Sequence, residues 1–177
     1  MGIRNYLIRG VSGTGKTTVA EELERRDYHV IHGDRTLAYQ GDPESGAALD
    51  WPAPETGIDR IALGYMRWIW PVDRVRTLLA DQSHAISFFC GDAKNFHHFI
   101  HLFDAVFVLD VDAQTLTRRL DQRPDDEFGG KPAERDFVLR FHATKEDVPS
   151  NAIILDATAP LDRIVDEILR NCAEQSD

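Results

Sequence analysis

The stretch NYLIRGVSGTGKTTVAEELERR, residues 5–26, places a glycine-rich sequence between a short apolar run and an amphipathic pattern. Within it, GVSGTGKT at residues 10–17 matches the phosphate-binding motif G-x-x-x-x-G-K-S/T at every fixed position. Backbone N–H groups must turn toward an anion in such a loop, and a side chain at Gly13 or Gly15 would obstruct them. The stretch therefore predicts a strand, a phosphate-binding loop and a helix, in that order.

The residues of this loop have distinct expected roles in binding a nucleotide. Lys16 reaches the terminal phosphates, and the hydroxyl of Thr17 is placed to ligate Mg²⁺. The helix that follows directs its positive amino-terminal end at the same anion. The predicted nucleotide-binding residues are Ser12, Gly13, Thr14, Gly15, Lys16, Thr17 and Thr18. The alternative is a glycine-rich turn that matches the motif by chance.

The composition narrows the class of protein. A chain of 177 residues is expected to form one domain over residues 1–177. No apolar run approaches the roughly 20 residues that span a bilayer, and the amino terminus lacks a signal-peptide core, so we expect a cytoplasmic protein without membrane contacts. The net charge of −10 argues against extended nucleic-acid binding. Cys90 and Cys172 occur in unlike contexts, which predicts reduced thiols.

Apolar runs and amphipathic patterns alternate along the chain. Five apolar runs predict buried strands at residues 6–9, 29–32, 85–90, 105–109 and 152–155. Amphipathic patterns between and after them predict helices at residues 16–26, 72–82, 112–122, 133–146 and 160–172. We therefore expect an α/β fold with a parallel sheet covered on both faces, and ligands at the carboxyl ends of its strands.

Two segments do not follow this alternation. Residues 36–70 are long and contain Trp51, Trp68 and Trp70, which form either a local core or a platform for stacking a flat acceptor. Residues 123–132 are polar and rich in proline and glycine. Long excursions in a compact α/β domain are usually lids or binding loops, so we expect both segments to serve a binding site.

Acidic residues follow several of the predicted strands. Asp34 is the best candidate for contacting an acceptor hydroxyl or Mg²⁺, because the second strand of such a sheet ends across a crevice from the loop. Its alternative is a cap or turn former before Arg35. Asp92 either holds a Mg²⁺-bound water or caps a helix at residues 93–101, and we expect Asp112 to be an N-cap.

Arginines and histidines add two further hypotheses. Arg119 and Arg123 are four residues apart on one helical face, where their guanidinium groups would stabilise a transferred phosphoryl group. Their alternative is a role in surface ion pairs. The histidines His97, His98 and His101 do not form a convincing metal-ligand set, and the surrounding apolar residues indicate a helix packed on the sheet.

These residues together resemble the small P-loop kinases, the group that contains adenylate and other nucleoside monophosphate kinases, shikimate kinase and gluconate kinase. HGD, ending at Asp34, is similar to the acidic residue that meets the acceptor. LTRRLDQRP, residues 116–124, resembles the lid entry and puts Arg119 and Arg123 at its nucleotide-contacting arginines. RDFVLRFHA puts Arg140 where such kinases keep an arginine facing the phosphates, and LDATAP resembles the turn beside the adenine.

The resemblance implies a P-loop NTPase fold with three α/β/α layers and a five-stranded parallel sheet in the order 2-3-1-4-5. It also implies ATP with Mg²⁺, an acceptor-binding insertion at residues 36–70 and a short lid at residues 123–132. More closely, the sequence resembles a bacterial group labelled "nucleoside kinase" or "AAA family ATPase".

One departure from the family concerns the acceptor. Nucleoside monophosphate kinases carry an acidic residue followed by Gly-Phe-Pro-Arg after the third strand, whereas this chain has CGDAKN at residues 90–95. Either Lys94 replaces the missing arginine, or the acceptor carries no phosphate. The predicted substrate-binding residues are Asp34, Arg35, Lys94 and Arg140.

The leading hypothesis is therefore a kinase that moves the γ-phosphate of ATP to a small acceptor, with a nucleoside or nucleotide favoured. Its predicted catalytic residues are Lys16, Asp34, Arg119 and Arg123. The alternatives are a kinase of a sugar acid or shikimate-like metabolite, a regulatory ATP-binding or ATPase module, and a polynucleotide-end kinase. A monomer and a dimer are equally open.

Overall fold

Seven strands form two sheets in the computed structural model, which describes residues 3–52 and 59–174. The strands are β1 Arg4–Arg9, β2 His29–His32, β3 Tyr39–Gln40, β4 Trp68–Ile69, β5 Ile86–Cys90, β6 Ala105–Asp110 and β7 Ile153–Asp156. Five of them form a parallel sheet in the order β2-β5-β1-β6-β7. Numbered among themselves, these five strands have the order 2-3-1-4-5, so the predicted topology is confirmed.

Seven α-helices connect and cover the strands. They are α1 Lys16–Arg25, α2 Gly33–Thr36, α3 Arg60–Met66, α4 Val72–Leu79, α5 Ala113–Asp121, α6 Pro132–Thr144 and α7 Leu161–Glu174. Asp112 is the N-cap of α5, as predicted, and its side chain accepts a hydrogen bond from the Thr115 N–H. None of the helices in the described ranges has the length and apolar character needed to cross a membrane.

The sheet separates two apolar cores because successive side chains of a strand point to opposite faces. Tyr6 and Ile8 of β1 pack in one core with residues of α1 and α7, whereas Leu7 packs in the other with Phe89 and Trp70. The helices therefore cover both faces, as the near-continuous apolar strands predicted. Cys90 and Cys172 are both buried, and they are not joined in a disulfide.

The helix predicted at residues 93–101 is wrong. Two short 3₁₀ turns, Phe96–His98 and Ile100–Leu102, take its place. Phe96 and Phe99 are three residues apart and both pack against the Trp70 ring, which the three-residue period of a 3₁₀ turn allows. The fully buried Asn95 side chain anchors the segment through hydrogen bonds with both backbone groups of Trp70.

The register of the parallel strands sets the position of the candidate site. His32 of β2 and Ile8 of β1 both pair with Cys90 of β5, so these three strands end at nearly the same level. The residues that follow them are the phosphate-binding loop, Asp34 and Asp92. The topology therefore brings these three sequence-distant features to one edge of the sheet.

Candidate active site

The phosphate-binding loop has the backbone geometry that its glycines predict. Gly13 and Gly15 have φ angles of 89° and 103°, in the left-handed region where a side chain is strained. The buried Thr14 hydroxyl donates to the Val11 carbonyl at 2.8 Å and closes the loop. The Lys16 ammonium donates to the carbonyls of Gly10 and Val11, so it lies at the mouth of the loop.

A large cleft of about 940 Å³ opens beside this loop. All seven predicted nucleotide-binding residues, Ser12 to Thr18, contribute to its lining. Arg35 also lines this cleft, where it is exposed. The volume is at the upper end of the range typical of small-molecule sites.

Arg119 joins the loop to the turn after β7. Its guanidinium donates to the Thr14 carbonyl at 3.1 Å and to the Ala157 carbonyl at 2.8 Å. Ala157 belongs to the LDATAP turn, and both Arg119 and Ala157 line the large cleft. The structure thus brings together two features that the sequence separates by more than 30 residues.

A second cleft of about 420 Å³ lies against the first. Four aromatic residues contribute to its lining, namely Trp51, Tyr65, Trp68 and Phe128. The tryptophans therefore differ in role, because Trp70 is fully buried in the core whereas Trp51 is 47% exposed at the cleft. The core alternative therefore holds for Trp70, whereas a stacking role for Trp51 and Trp68, which line the cleft, stays a prediction.

Five residues line both clefts. They are Ser12, Lys16, Asp34, Arg123 and Phe128. Three of them, the lysine, the aspartate and the arginine, are among the predicted catalytic residues. A group that passes from one cleft to the other would therefore move between a carboxylate and two cations.

Asp34 is held rigidly at this junction. Its Oδ1 accepts hydrogen bonds from the Asp92 N–H at 2.9 Å and from the Trp68 indole N–H at 3.2 Å. Close packing behind it requires glycine, because a Cβ at Gly33 or Gly91 would lie within 3 Å of the Trp70 ring. No other described residue hydrogen-bonds the second oxygen, Oδ2, of this carboxylate.

Asp92 is the centre of a buried ion-pair network. Its carboxylate pairs with Arg9 at 3.0 Å and Lys94 at 3.3 Å, and it accepts the Tyr65 hydroxyl hydrogen bond at 3.1 Å. Burial raises the pKa of Asp92, but Lys94, Arg9 and Lys16 more than offset this and hold it below its usual range. Sequence reasoning missed Arg9, although a charged residue inside an apolar strand is a signal for such a network.

Lys94 is enclosed in this network and lines neither cleft. Its ammonium contacts Asp92 and Asp147 at 3.3 and 3.2 Å and lies 3.8 Å above the Tyr65 ring. The sequence hypothesis that Lys94 replaces a substrate-binding arginine is therefore not supported by its position. The physical reason is that the two carboxylates and the aromatic ring together satisfy its charge.

The remaining predicted residues occupy different places. Arg123 lies at the junction, where one guanidinium nitrogen pairs with Glu127 at 3.1 Å and its buried Nε has no partner among the described residues. Arg140 is exposed on α6, hydrogen-bonds the Asp136 carbonyl of its own helix and lines neither cleft. The structure therefore brings Arg123, but not Arg140, to the candidate site.

Comparisons with known proteins identify the fold. No protein-family model matches the sequence, and neither does any curated protein. Several solved structures match over nearly the whole chain. Gluconokinase from Sinorhizobium meliloti 1021 is 21% identical, with a TM-score of 0.55 and coverage of 97% of this chain and 92% of that one.

Two further structures have the same architecture. Shikimate kinase from Bacteroides thetaiotaomicron is 16% identical, with a TM-score of 0.59 and coverage of 96% and 98%. Deoxyadenosine kinase from M. mycoides, solved with bound dATP, is 15% identical, with a TM-score of 0.50 and coverage of 96% and 99%. The chain therefore has the fold of the P-loop small-molecule kinases, and the predicted fold class is confirmed.

Proposed function

We propose that this protein is an ATP-dependent kinase that transfers the γ-phosphate of ATP to a hydroxyl group of a small acceptor. The observation that carries this proposal is the junction of the two clefts. Lys16, Asp34 and Arg123 line both clefts, so each of them would border both the proposed donor site and the proposed acceptor site. The kinase fold of the structural neighbours supports the same conclusion.

The larger cleft is the proposed ATP site. The loop from Ser12 to Thr18 would hold the phosphates through backbone N–H groups and the start of α1. The Arg119 guanidinium and the turn at Ala157 would border the base. The bound dATP of the deoxyadenosine kinase neighbour motivates, but does not identify, a purine nucleotide.

The residues at this site fit a magnesium ion. Thr17 lines the larger cleft, and no described residue hydrogen-bonds its hydroxyl, which leaves the oxygen available as a ligand. Mg²⁺ prefers a few protein oxygens together with phosphate and water, and when bound it neutralises charge on the phosphates. Asp34 is a better candidate than Asp92 for a water-mediated contact, because Arg9, Lys94 and Tyr65 already engage the Asp92 carboxylate.

The transfer step assigns one role to each junction residue. Asp34 would orient the acceptor hydroxyl and accept its proton as the acceptor oxygen forms a bond to the γ-phosphorus. The bond from that phosphorus to the β,γ-bridging oxygen breaks, and ADP leaves. Lys16 and Arg123 would stabilise the negative charge spread over the moving phosphoryl group.

A hydroxyl acceptor fits the site better than a phosphate acceptor. The carboxylate of Asp34 at the junction would attract a hydroxyl proton and repel a phosphate dianion. Lys94 is sequestered in the ion-pair network and is therefore not available to hold an acceptor phosphate. The segment CGDAKN at residues 90–95 contains no arginine that could take its place.

Two segments are proposed to complete this one-domain enzyme. Residues 36–70 supply Gln40, Trp51, Tyr65 and Trp68 to the smaller cleft, which supports their role as an acceptor-binding insertion. Residues 123–132 contribute Phe128 to both clefts, which supports a lid that excludes water during transfer. Cys90 and Cys172 are not joined in a disulfide, which fits a reducing compartment, and we propose a cytoplasmic location.

Acceptor-dependent ADP release tests the proposal. Purified protein with Mg-ATP should release ADP when supplied with its acceptor, and Lys16→Ala should reduce the rate by about 10²–10³-fold. The melting temperature of the variant verifies that it folds. ATP hydrolysis at the same slow rate with every nucleoside, sugar acid and shikimate-like compound would instead support a regulatory ATPase module.

A further inference from the structure

The smaller cleft has an aromatic lining from three separate parts of the chain. Trp51 precedes α3, Tyr65 and Trp68 lie in and just after α3, and Phe128 lies between α5 and α6. The Trp68 ring is held in place by its hydrogen bond to Asp34. Aromatic faces that line a cleft are suited to stacking a flat ring, whereas a polyol gains little from them.

Trp51 is the ring best placed to receive a ligand. It lies over the backbone of Gly64, where a Cβ would come within 2.6 Å of the indole. Nearly half of the residue, 47%, is nevertheless exposed, although tryptophan is usually well buried. One part of the indole is thus packed on the protein while another part is open to the cleft.

Gln40 presents a hydrogen-bond acceptor without a donor. Its Nε2 donates to the Gly64 carbonyl at 3.0 Å, and this contact fixes the amide orientation, because the reverse assignment would oppose two oxygens. The Oε1 is buried and has no hydrogen-bond partner in the part of the chain that the structure describes. Gln40 also lines the smaller cleft, so an N–H group of a bound ligand is the natural partner for this oxygen.

The charges of this cleft disfavour an anionic acceptor. Its cations are Lys16, Arg60 and Arg123, and its anions are Asp34, Asp92 and Glu134. Lys16 and Arg123 also line the larger cleft and are proposed to serve the phosphates of ATP. A carboxylate or phosphate on the acceptor would therefore depend on Arg60 alone, which is exposed.

We propose that the acceptor is an uncharged nucleoside, which deepens and rests on the proposed kinase function. Its base stacks against the aromatic lining, and an amino or ring N–H group of the base donates to the Gln40 Oε1. A hydroxyl of its sugar lies at Asp34. The cleft volume of about 420 Å³ is sufficient for a ligand of this size.

Direct binding in the presence of a non-hydrolysable ATP analogue tests the acceptor class. The ligands are the common ribonucleosides and deoxyribonucleosides, their 5′-monophosphates, gluconate and shikimate, each followed by thermal shift and calorimetry. At least one nucleoside should raise the melting temperature and bind about tenfold more tightly than its own 5′-monophosphate. Tighter binding of gluconate, shikimate or a monophosphate than of every nucleoside would overturn the proposal.

Two variants test the residues. Gln40→Leu should weaken binding of the best nucleoside by about tenfold or more, because the N–H of the base loses its acceptor. An analogue that lacks this N–H, such as purine riboside for adenosine, should bind the variant and the unmodified protein equally well. Trp51→Ala should also lower the affinity for the nucleoside by about tenfold. Gln82→Leu is the control, because Gln82 is exposed and lies outside both clefts, and it should not change this affinity.

The outcomes separate the two proposals. Equal loss of affinity for the nucleoside and for the analogue in Gln40→Leu would indicate a structural role through Gly64 and would overturn the proposed contact. ADP release with a polyol but with no nucleoside would overturn the acceptor class and leave the kinase function intact. If none of the acceptors increases ADP release above the rate without acceptor, the kinase function itself would be overturned.

Discussion

The two clefts of this protein are constructed in different ways. The larger cleft includes a run of consecutive residues, Ser12 to Thr18, which match the phosphate-binding motif. The smaller cleft includes Gln40, Trp51, Tyr65 and Phe128, which belong to segments far apart in the chain. A local motif can therefore reveal the proposed donor site, whereas the proposed acceptor site exists only after folding.

The two clefts also differ in whether the lysine beside them is accessible to a ligand. In the larger cleft, Lys16 rests on loop carbonyls and is accessible to an incoming phosphate. Beside the smaller cleft, the Lys94 side chain is buried and forms ion pairs with Asp92 and Asp147. The two lysines therefore differ in accessibility, because burial and ion pairing keep Lys94 away from both clefts.

The largest expected effect concerns Asp34, one of the five residues that line both clefts. Asp34→Asn retains the oxygen that accepts from the Asp92 N–H and the Trp68 indole but removes the base, so kcat should fall by about 10²–10⁴-fold. The KM for ATP should stay nearly unchanged. Steady-state kinetics measure both, with the exposed Asp73→Asn as the matched control. An unchanged kcat would remove Asp34 from the transfer step.

The next largest effect tests whether Lys94 stabilises the fold rather than binding the acceptor. Lys94→Met should lower the free energy of unfolding by about 3 kcal/mol, because it leaves two partly buried carboxylates without this cation. Urea denaturation measures this free energy of unfolding, and the melting temperature should fall by roughly 6–12 °C. Lys131→Met, at an exposed position, is the control. A raised acceptor KM with unchanged stability would instead place Lys94 in the acceptor site.

A smaller effect is expected on ATP binding in the larger cleft, without a change in acceptor binding. Arg119→Ala removes the guanidinium that joins Thr14 to Ala157, so the KM for ATP should rise by about tenfold. Acceptor binding, measured by calorimetry without nucleotide, should not change. The neighbouring Arg118→Ala is the matched control because Arg118 is exposed and lines neither cleft. A rise in the KM for ATP matched by an equal loss of acceptor affinity would show that the two clefts do not bind their ligands independently.

The smallest effect concerns pH. Because the folded-state pKa of Asp92 lies below the usual value of 3.8, its ionised form stabilises the fold above about pH 4. This contribution is lost as the pH falls toward the folded-state pKa, with a slope of up to about 1.4 kcal/mol per pH unit. Urea denaturation from pH 6 to pH 3 should show a shallower slope for Asp92→Asn than for the unmodified protein. Identical slopes would contradict the assignment.

The sequence predicted most of the fold because its signals are local. The five strands, their order and the helices on both faces follow from apolar runs, caps and a family resemblance carried by the loop. Residues 36–70 received no predicted elements, although they contain β3, α3 and β4. At residues 93–101, the packing of Phe96 and Phe99 on Trp70 overrides the helical pattern. Helix periodicity alone does not reveal such a tertiary preference.

The candidate site was predicted less completely. Lys16, Asp34 and Arg123 were all identified from the sequence, and the structure brings them to one junction. Gln40 was not identified, because its significance depends on an unpaired oxygen that no sequence pattern indicates. Lys94 and Arg140 were assigned by analogy with the family, and neither lies at a cleft.

By itself, the sequence determined the phosphate-binding loop and the position of Asp34 after β2, since each depends on residues that are neighbours in the chain, whereas the strand order was an implication of the family resemblance. Only the tertiary structure decided which charges are available to a substrate and which aromatic rings line the smaller cleft. The physical reason is that both properties depend on burial and on contacts between distant segments, such as those of Asp92 with Arg9 and Tyr65.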